Sequence, residues 1–311
     1  IKAVPTIEKK GLAAVSSSFF AALCSLFGRY DVVHIHAEGP AAFCFIPKLF
    51  RKRVVVTVHG LDWQREKWKS GFGAKYIHFG EKMAVKHADE IIVLSKGVQR
   101  YFMDTYGRET VFIPNGVNRP EIKHADIINK RFGLSKDSYI LYLGRIVPEK
   151  GEHYLIEAFK QIDTDKKLVI AGGSSDTDEY MDRLKMMAQG DERIMFTGFV
   201  QGQILEELYS NAYIYILPSD LEGMPLSLLE AMSYGNCCLV SDIKECTEVI
   251  EDKAEVFRKS DIDDLRIRLQ ELCSREDLVQ KYKKNAAEYI CGRYDWNKIV
   301  DKTLELYKGE R

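Results

Sequence analysis

At 311 residues the chain is long enough for about two domains, each with a sizeable core. With 46% hydrophobic and 29% charged residues it has the make-up of an ordinary globular protein, which excludes extended disorder, and a formal net charge of −1 gives no overall electrostatic reason to bind nucleic acid. Seven cysteines, odd in number, largely in apolar runs and without a C-x-x-C pair, read as buried thiols in a reducing cytosol, with no metal or redox site.

The chain opens on Ile rather than Met, which suggests that something precedes it in the natural protein. The apolar run 12–27 follows Lys9-Lys10 but holds three serines, lacks a small-x-small cleavage site and is too short to span a bilayer, so it reads as a core helix. Strand and helix patterns then alternate. The runs 31–36, 53–58, 90–94 and 110–113 read as strands, with helices at 41–50, 72–87 and 98–106. The turn formers Pro114-Asn115-Gly116 close this series, and a second begins with the strand 139–144. Further strands are expected at 167–171, 194–197, 213–217 and 237–240, with helices at 154–161, 180–187, 203–210 and after Pro225, and a helical pattern from 261 to the end. Such alternation predicts βαβ units on parallel sheets: an α/β chain of two doubly wound, Rossmann-like domains facing a central cleft. The divisions read from the sequence are 1–118, 119–294 and a last helix, 295–311, returning toward the first domain.

Polar residues at the carboxyl ends of these strands are the candidates for chemistry. The stretch Ser-Asp-Leu-Glu-Gly-Met-Pro-Leu at 219–226 follows a buried strand. It places Glu222 in the loop and Glu230 about two turns inside the next helix, with Pro225 suited to that helix's first turn. The free N–H groups of Leu226 and Ser227 and the helix dipole suit an anion such as a diphosphate. Two carboxylates beside it fit hydroxyls, which a sugar and a ribose supply in pairs. Arg145 and Lys150 share the loop after the strand 139–144; a guanidinium fork and an ammonium are what two phosphates need, although a basic pair on a loop is most often solvated surface. His59 ends the strand 53–58 before Gly60. His34 and His36 have metal-ligand spacing but no third ligand, which favours packing. Lys48, Arg51, Lys52 and Arg53 form a basic cluster that could touch an anionic lipid surface or an acidic acceptor.

Taken together, Arg145-x4-Lys150, the E-x7-E pair Glu222 and Glu230 within Glu-Gly-Met-Pro-Leu, Val-Thr-Val-His-Gly at 56–60 and Ile-Pro-Asn-Gly-Val at 113–117 resemble a retaining glycosyltransferase of family 4 with the GT-B fold. The likeness runs from about residue 31 to the end. It implies transfer of a sugar from a nucleotide-diphosphate donor, most commonly UDP-linked, to a glycan or glycolipid acceptor with retention of configuration and without a bound metal or other cofactor. Arg145 and Lys150 would neutralise the leaving diphosphate, and fixed cations there favour the transition state over the ground state. Glu230 would hold the ribose hydroxyls, and Glu222 with Gly223, Met224, Pro225 and Leu226 the donor sugar. His59 would contact that sugar near the reacting carbon. Gly172 and Gly173 would line the nucleotide pocket, and the backbone near Val200 would read the base.

Two departures stand out. The strand and glycine-rich loop that open the family's first domain have no counterpart here, which leaves that domain incomplete, and Asn118 stands where the family often has Asp. A nucleotide-sugar 2-epimerase of the same architecture, with Asp62 and Glu66 as acid and base, and an inactive nucleotide-sugar-binding fragment are the alternatives. Trp63, Trp68 and Tyr76 could stack on an acceptor ring. The expected location is cytoplasmic, with peripheral contact at the inner face of the membrane as an option.

Overall fold

A computed structural model describes residues 2–9, 11–64, 71–174 and 178–309. Arg65, Glu66 and Trp68 lie outside the described residues. The chain divides into two compact units, Ile1–Asn115 with Asn297–Arg311, and Gly116–Trp296.

Unit 1 begins with helix α1 (Leu12–Cys24) and strand β1 (Val32–His36). The single helix expected at 41–50 is instead two short ones, α2 (Glu38–Ala41) and α3 (Phe45–Leu49). Pro47 explains the break, because a residue without an N–H that clashes with the preceding turn is tolerated only where a new helix starts. Strand β2 (Arg53–Val58), helix α4 (Phe72–His87), strand β3 (Glu90–Val93), helix α5 (Lys96–Tyr106) and strand β4 (Val111–Phe112) complete the series. The four strands are parallel in the order β1-β2-β3-β4. β2 and β3 are buried along almost their whole length because helices cover both their faces, whereas β1 at the edge is half-buried.

Unit 2 carries helix α6 (Ile127–Phe132), strand β5 (Tyr139–Leu143), helix α7 (Glu152–Phe159), strand β6 (Lys167–Ala171), helix α8 (Asp178–Ala188), strand β7 (Ile194–Gly198) and helix α9 (Gln203–Asn211). Strand β8 (Ile214–Leu217), helix α10 (Leu226–Ser233), strand β9 (Cys237–Ser241), helix α11 (Lys244–Ile250), strand β10 (Glu255–Phe257), and helices α12 (Ile262–Ser274) and α13 (Glu276–Arg293) follow. All six strands are parallel in the order β10-β9-β8-β5-β6-β7. The order reverses between β5 and β8, the switch point at which doubly wound sheets open a crevice.

Three of these elements, α6, α11 and β10, are not legible in the sequence. α6 owes its start to a distant residue: the Glu207 carboxylate on α9 accepts the N–H groups of Ile127 and Ile128 at 2.8 and 3.0 Å. β10 is three residues long and pairs only with β9 at the sheet edge. The turn at 116–118 packs with unit 2, where the Val117 N–H donates to the Tyr294 carbonyl at 2.7 Å and Gly116 lies against the Trp296 ring. The final helix α14 (Trp296–Lys308) sends Ile299 and Leu306 into the core of unit 1 beside Val55, Ile92 and Ile113. The expectation of buried cysteines holds for Cys44, Cys237, Cys238 and Cys246, whose thiols burial pushes up, but Cys24 is exposed and Cys273 and Cys291 are half-buried.

Candidate active site

The loop after β5 and the loop after β8 are fastened to one another. Gly151 adopts a left-handed conformation (φ 74°), and a Cβ there would stand 2.1 Å from the Pro218 carbonyl oxygen, so only glycine lets the two backbones approach. The Asp220 N–H donates to the Glu149 carbonyl at 2.9 Å. The Asp220 carboxylate in turn accepts from Tyr154 at 3.0 Å and Ser260 at 2.7 Å. This brings Lys150 onto Glu222: the ammonium donates to Glu222 Oε1, and the Ser219 hydroxyl donates to the same oxygen at 2.7 Å. Their side chains are 14% and 7% exposed, so the pair is screened from water and each charge depends on the other. The sequence reading had given these two residues separate tasks; the fold joins them as one unit.

Arg145 stands apart from the pair. Its side chain is exposed and takes no hydrogen bond among the described residues, while its carbonyl accepts from the buried Tyr142 hydroxyl at 2.9 Å. That hydroxyl also lies 2.7 Å from Oε1 of Glu152, whose Oε2 accepts from Tyr180 at 3.1 Å. His153 Nδ1 extends the chain, 2.8 Å from Tyr180. Burial pushes the Glu152 carboxyl up to about 7, against the pull of Tyr142, its own backbone, Tyr180 and Lys150. A buried acid is thus built directly beneath the Arg145–Lys150 loop. Nothing in the local motif signalled it, since its partners come from β5 and α8.

Pro225 is the residue before α10 rather than its first helical residue, and Glu230, fifth in that helix, lies a little over one turn in rather than two. The N–H groups of Leu228 and Leu229 return to the Pro225 carbonyl, and the helix itself leaves those of Leu226 and Ser227 unused. Glu230 is half-buried and accepts from the Tyr209 hydroxyl at 3.2 Å; burial raises its pKa despite that bond. It is no solvated position on an amphipathic face. Tyr215, buried under both carboxylates, donates to Ser227 Oγ at 2.8 Å; burial and the nearby charges of Glu222 and Glu230 raise its own pKa. Among the residues named for sugar contact, Met224 is buried and Leu226 is exposed.

Gly172 closes the other side. A Cβ on it would meet the Gly144 carbonyl oxygen at 1.9 Å, and its N–H donates to the Gly198 carbonyl at 3.0 Å. The ends of β5, β6 and β7 therefore meet in a side-chain-free floor, with Gly173 against Phe199, which is exposed, and Val200 buried next to it.

In unit 1, His59 follows β2 and stacks on His36, with Nε2 3.1 Å from His36 Nδ1. His34 is held between the hydroxyls of Tyr307 and Thr57 at 2.6 and 2.7 Å. Burial, then His36 and His59, push its pKa down to about 4, so it is neutral near pH 7. Among the described residues no group of three His, Cys, Asp or Glu side chains is shaped to hold a metal ion. Beside this cluster lies a group the sequence did not signal. Glu38 and Glu81 are buried side by side; the Asp62 N–H donates to Glu38 Oε2 at 2.9 Å, and Tyr101 and Tyr106 donate to Glu81 Oε1. Burial pushes Glu38 up to about 9, and Glu38 Oε1, Glu81 Oε2, Trp63 Nε1 and the Tyr76 hydroxyl are buried without hydrogen-bond partners among the described residues. Trp63 stacks on His78, with ring centroids 5.1 Å apart.

The geometry can be set beside known proteins. The family model for Glycosyl transferases group 1 matches residues 125–289, more than half of the chain, and that for Glycosyltransferase Family 4 matches residues 3–119. The chain belongs to the group 1 glycosyl transferases. This glycosyltransferase is 28% identical over 301 residues to an uncharacterized glycosyltransferase, MJ1607, of Methanocaldococcus jannaschii, covering 90% of this chain and 75% of the relative. It is also 28% identical over 303 residues, with the same coverage, to the UDP-Gal:alpha-D-GlcNAc-diphosphoundecaprenol alpha-1,3-galactosyltransferase of Escherichia coli. Among solved structures, Anabaena HepE in complex with UDP-glucose superposes with a TM-score of 0.83 at 17% identity, covering 94% of this chain and 82% of that one. The sucrose-phosphate synthase of Thermosynechococcus elongatus gives 0.81 at 22% identity, covering 97% and 80%. The glycosyltransferase shares their fold, GT-B, with its two parallel sheets.

Proposed function

We propose that this glycosyltransferase moves a hexosyl group from a nucleoside-diphosphate sugar, with UDP as the nucleotide, to a glycan or glycolipid acceptor with retention of configuration. The observation that carries this reading is the Lys150–Glu222 pair at the switch point, braced by Ser219. A diphosphate arriving between the two loops offers Lys150 a more highly charged partner than a single carboxylate. Lys150 then turns to the phosphate oxygens, joined by the free guanidinium of Arg145, and Glu222 is released to accept hydrogen bonds from the donor sugar, next to the backbone of Gly223, Met224, Pro225 and Leu226. As the glycosyl–phosphate bond breaks, negative charge grows on the leaving group where these cations already stand, so they stabilise the transition state most.

The same reading assigns the ribose hydroxyls to Glu230, the nucleotide to the glycine floor at Gly172 and the base to the backbone at Val200. It gives His59 to the donor sugar and charge neutralisation to Arg145 and Lys150, with no metal or other cofactor in the scheme. Departure and attack on one face of the sugar accounts for retention without a carboxylate nucleophile. The Escherichia coli relative, named for transfer from UDP-Gal to a diphosphoundecaprenol-linked sugar, and the UDP-glucose complex of HepE support a UDP-linked donor and a lipid-linked acceptor. Calorimetric titration with UDP, GDP and ADP tests the donor half. Binding of UDP in preference to the others, weakened at least tenfold in Lys150→Ala, is the expected result; no binding of any nucleotide to the folded chain overturns the reading.

A further inference from the structure

The amino-terminal ends of β1 and β2, at the opposite end of those strands from His59, present a patch that the reaction does not use. Phe27, in the loop before β1, is 89% exposed, and Tyr30 is 45% exposed; Leu49, the last residue of α3, and Phe50 just after it are 74% and 62% exposed. The two loops are one surface, because the Lys52 ammonium donates to the Tyr30 carbonyl at 2.6 Å and to that of Gly28 at 3.5 Å, and the Tyr30 ring lies over Gly28. Four large apolar side chains are therefore held out into water by a fixed backbone, where isolated ones would need no explanation.

Cations rim this apolar tip. Arg29, Arg51 and Lys52 have no carboxylate partner among the described residues, whereas Lys48 is matched by Asp89 and Arg53 by Glu90. Asp31 is the lone acid in the two loops. An isologous contact with a second copy would set these cations against themselves, which argues against self-association. An anionic bilayer surface answers both features at once: phenyl and leucyl groups enter the headgroup and acyl boundary, and guanidinium and ammonium groups meet the lipid phosphates. Among the described residues no helix is long and apolar enough to cross a membrane, so attachment through this patch would be peripheral.

We infer that the loops carrying Phe27, Tyr30, Leu49 and Phe50, with Arg29, Arg51 and Lys52, form a docking surface for an anionic lipid bilayer. The inference does not depend on the nucleotide site, which lies in the other unit. Co-sedimentation with phosphatidylcholine vesicles, with and without phosphatidylglycerol, tests it on the full chain. Expected is binding to the anionic vesicles that weakens with salt, a roughly hundredfold loss of partitioning in Arg29→Gln/Arg51→Asn/Lys52→Gln, and loss of binding even at low salt in Phe27→Ser/Leu49→Ser/Phe50→Ser. Thermal melts and UDP titration confirm that the variants remain folded. Equal binding to both vesicle types, no binding to the anionic ones, or binding that the folded variants retain would overturn the inference. So would a dimer in sedimentation equilibrium that the triple serine variant abolishes, since the patch would then belong to a second copy.

Discussion

The two parallel sheets end in polar groups prepared in opposite ways. At the strand ends of unit 2 the carboxylates have partners: Glu222 with Lys150 and Ser219, Glu230 with Tyr209, Glu152 with two tyrosines, and only Arg145 stands apart. At the strand ends of unit 1 the groups are neutral imidazoles and a buried acid pair, with an oxygen of each acid unpaired among the described residues. The difference teaches how each can act. A matched ion pair has no net need of a ligand and exchanges only when a stronger partner arrives, which suits a charged donor. Uncharged rings and a shared acid attract no phosphate and suit a hydroxyl-bearing sugar.

The largest expected effect breaks the matched pair. Lys150→Ala removes the cation and leaves Glu222 buried with only the Ser219 hydroxyl, and kcat should fall by about 10² to 10³, the usual cost of losing one preorganised charge partner in a transition state. Steady-state kinetics of UDP release measure it, and turnover near wild type would show that the pair is structural only. Glu222→Gln, which keeps the Ser219 bond but not the charge, separates the two contributions.

The acids sharpen the comparison through pH. Glu152 titrates at about 7 and Glu38 at about 9 in the folded chain, against 4.5 unfolded, so in both cases the folded state keeps a proton that the unfolded state has lost. Stability from such groups is greatest below about pH 4.5 and falls as pH rises to the folded value. His34, held down to about 4, works the other way, but only below 6.5. Between pH 7 and 8.5 the larger part of the loss comes from Glu38, with smaller shares from Glu152 and from the buried thiols that burial also pushes up. Thermal melts should show this slope in the wild type and, slightly reduced, in Glu152→Gln, and a clearly shallower one in Glu38→Gln. A slope unchanged in Glu38→Gln would remove the claim that unit 1 stores a protonated acid.

Smaller effects test how unit 2 is assembled. Gly151→Ala drives a methyl group into the Pro218 carbonyl at a left-handed residue, and a loss of about 2 kcal/mol is expected in denaturant melts, with weaker nucleotide binding because Lys150 is displaced. Tyr209→Phe removes one hydrogen bond to Glu230, worth about 1 kcal/mol, and should weaken UDP binding about fivefold without altering kcat. A change in kcat but not in affinity would place Glu230 nearer the reacting bond than the ribose.

The sequence by itself determined the strands and their sense. Runs such as Val54-Val55-Val56 and Tyr139-Ile140-Leu141-Tyr142 can be satisfied only between two covered faces, so parallel sheets, and functional loops at their carboxyl ends, followed from local pattern alone. The candidates Glu222, Arg145, Lys150 and His59 were picked out for the same reason, as polar residues soon after an apolar run, and Glu230 by its place in the helix that follows. Only the tertiary structure decided what those residues meet. Strand order is set by how helices pack across the sheet, and with it came the adjacency of the β5 and β8 loops, the Lys150–Glu222 pair and the tyrosines at 142, 180 and 209 that hold the acids. The Glu38–Glu81 pair was equally hidden, since residues 43 positions apart in sequence carry no local sign that burial will force them to share a site. Short elements such as α6 and β10 were illegible because their stability comes from a distant cap or a neighbouring strand rather than from their own residues.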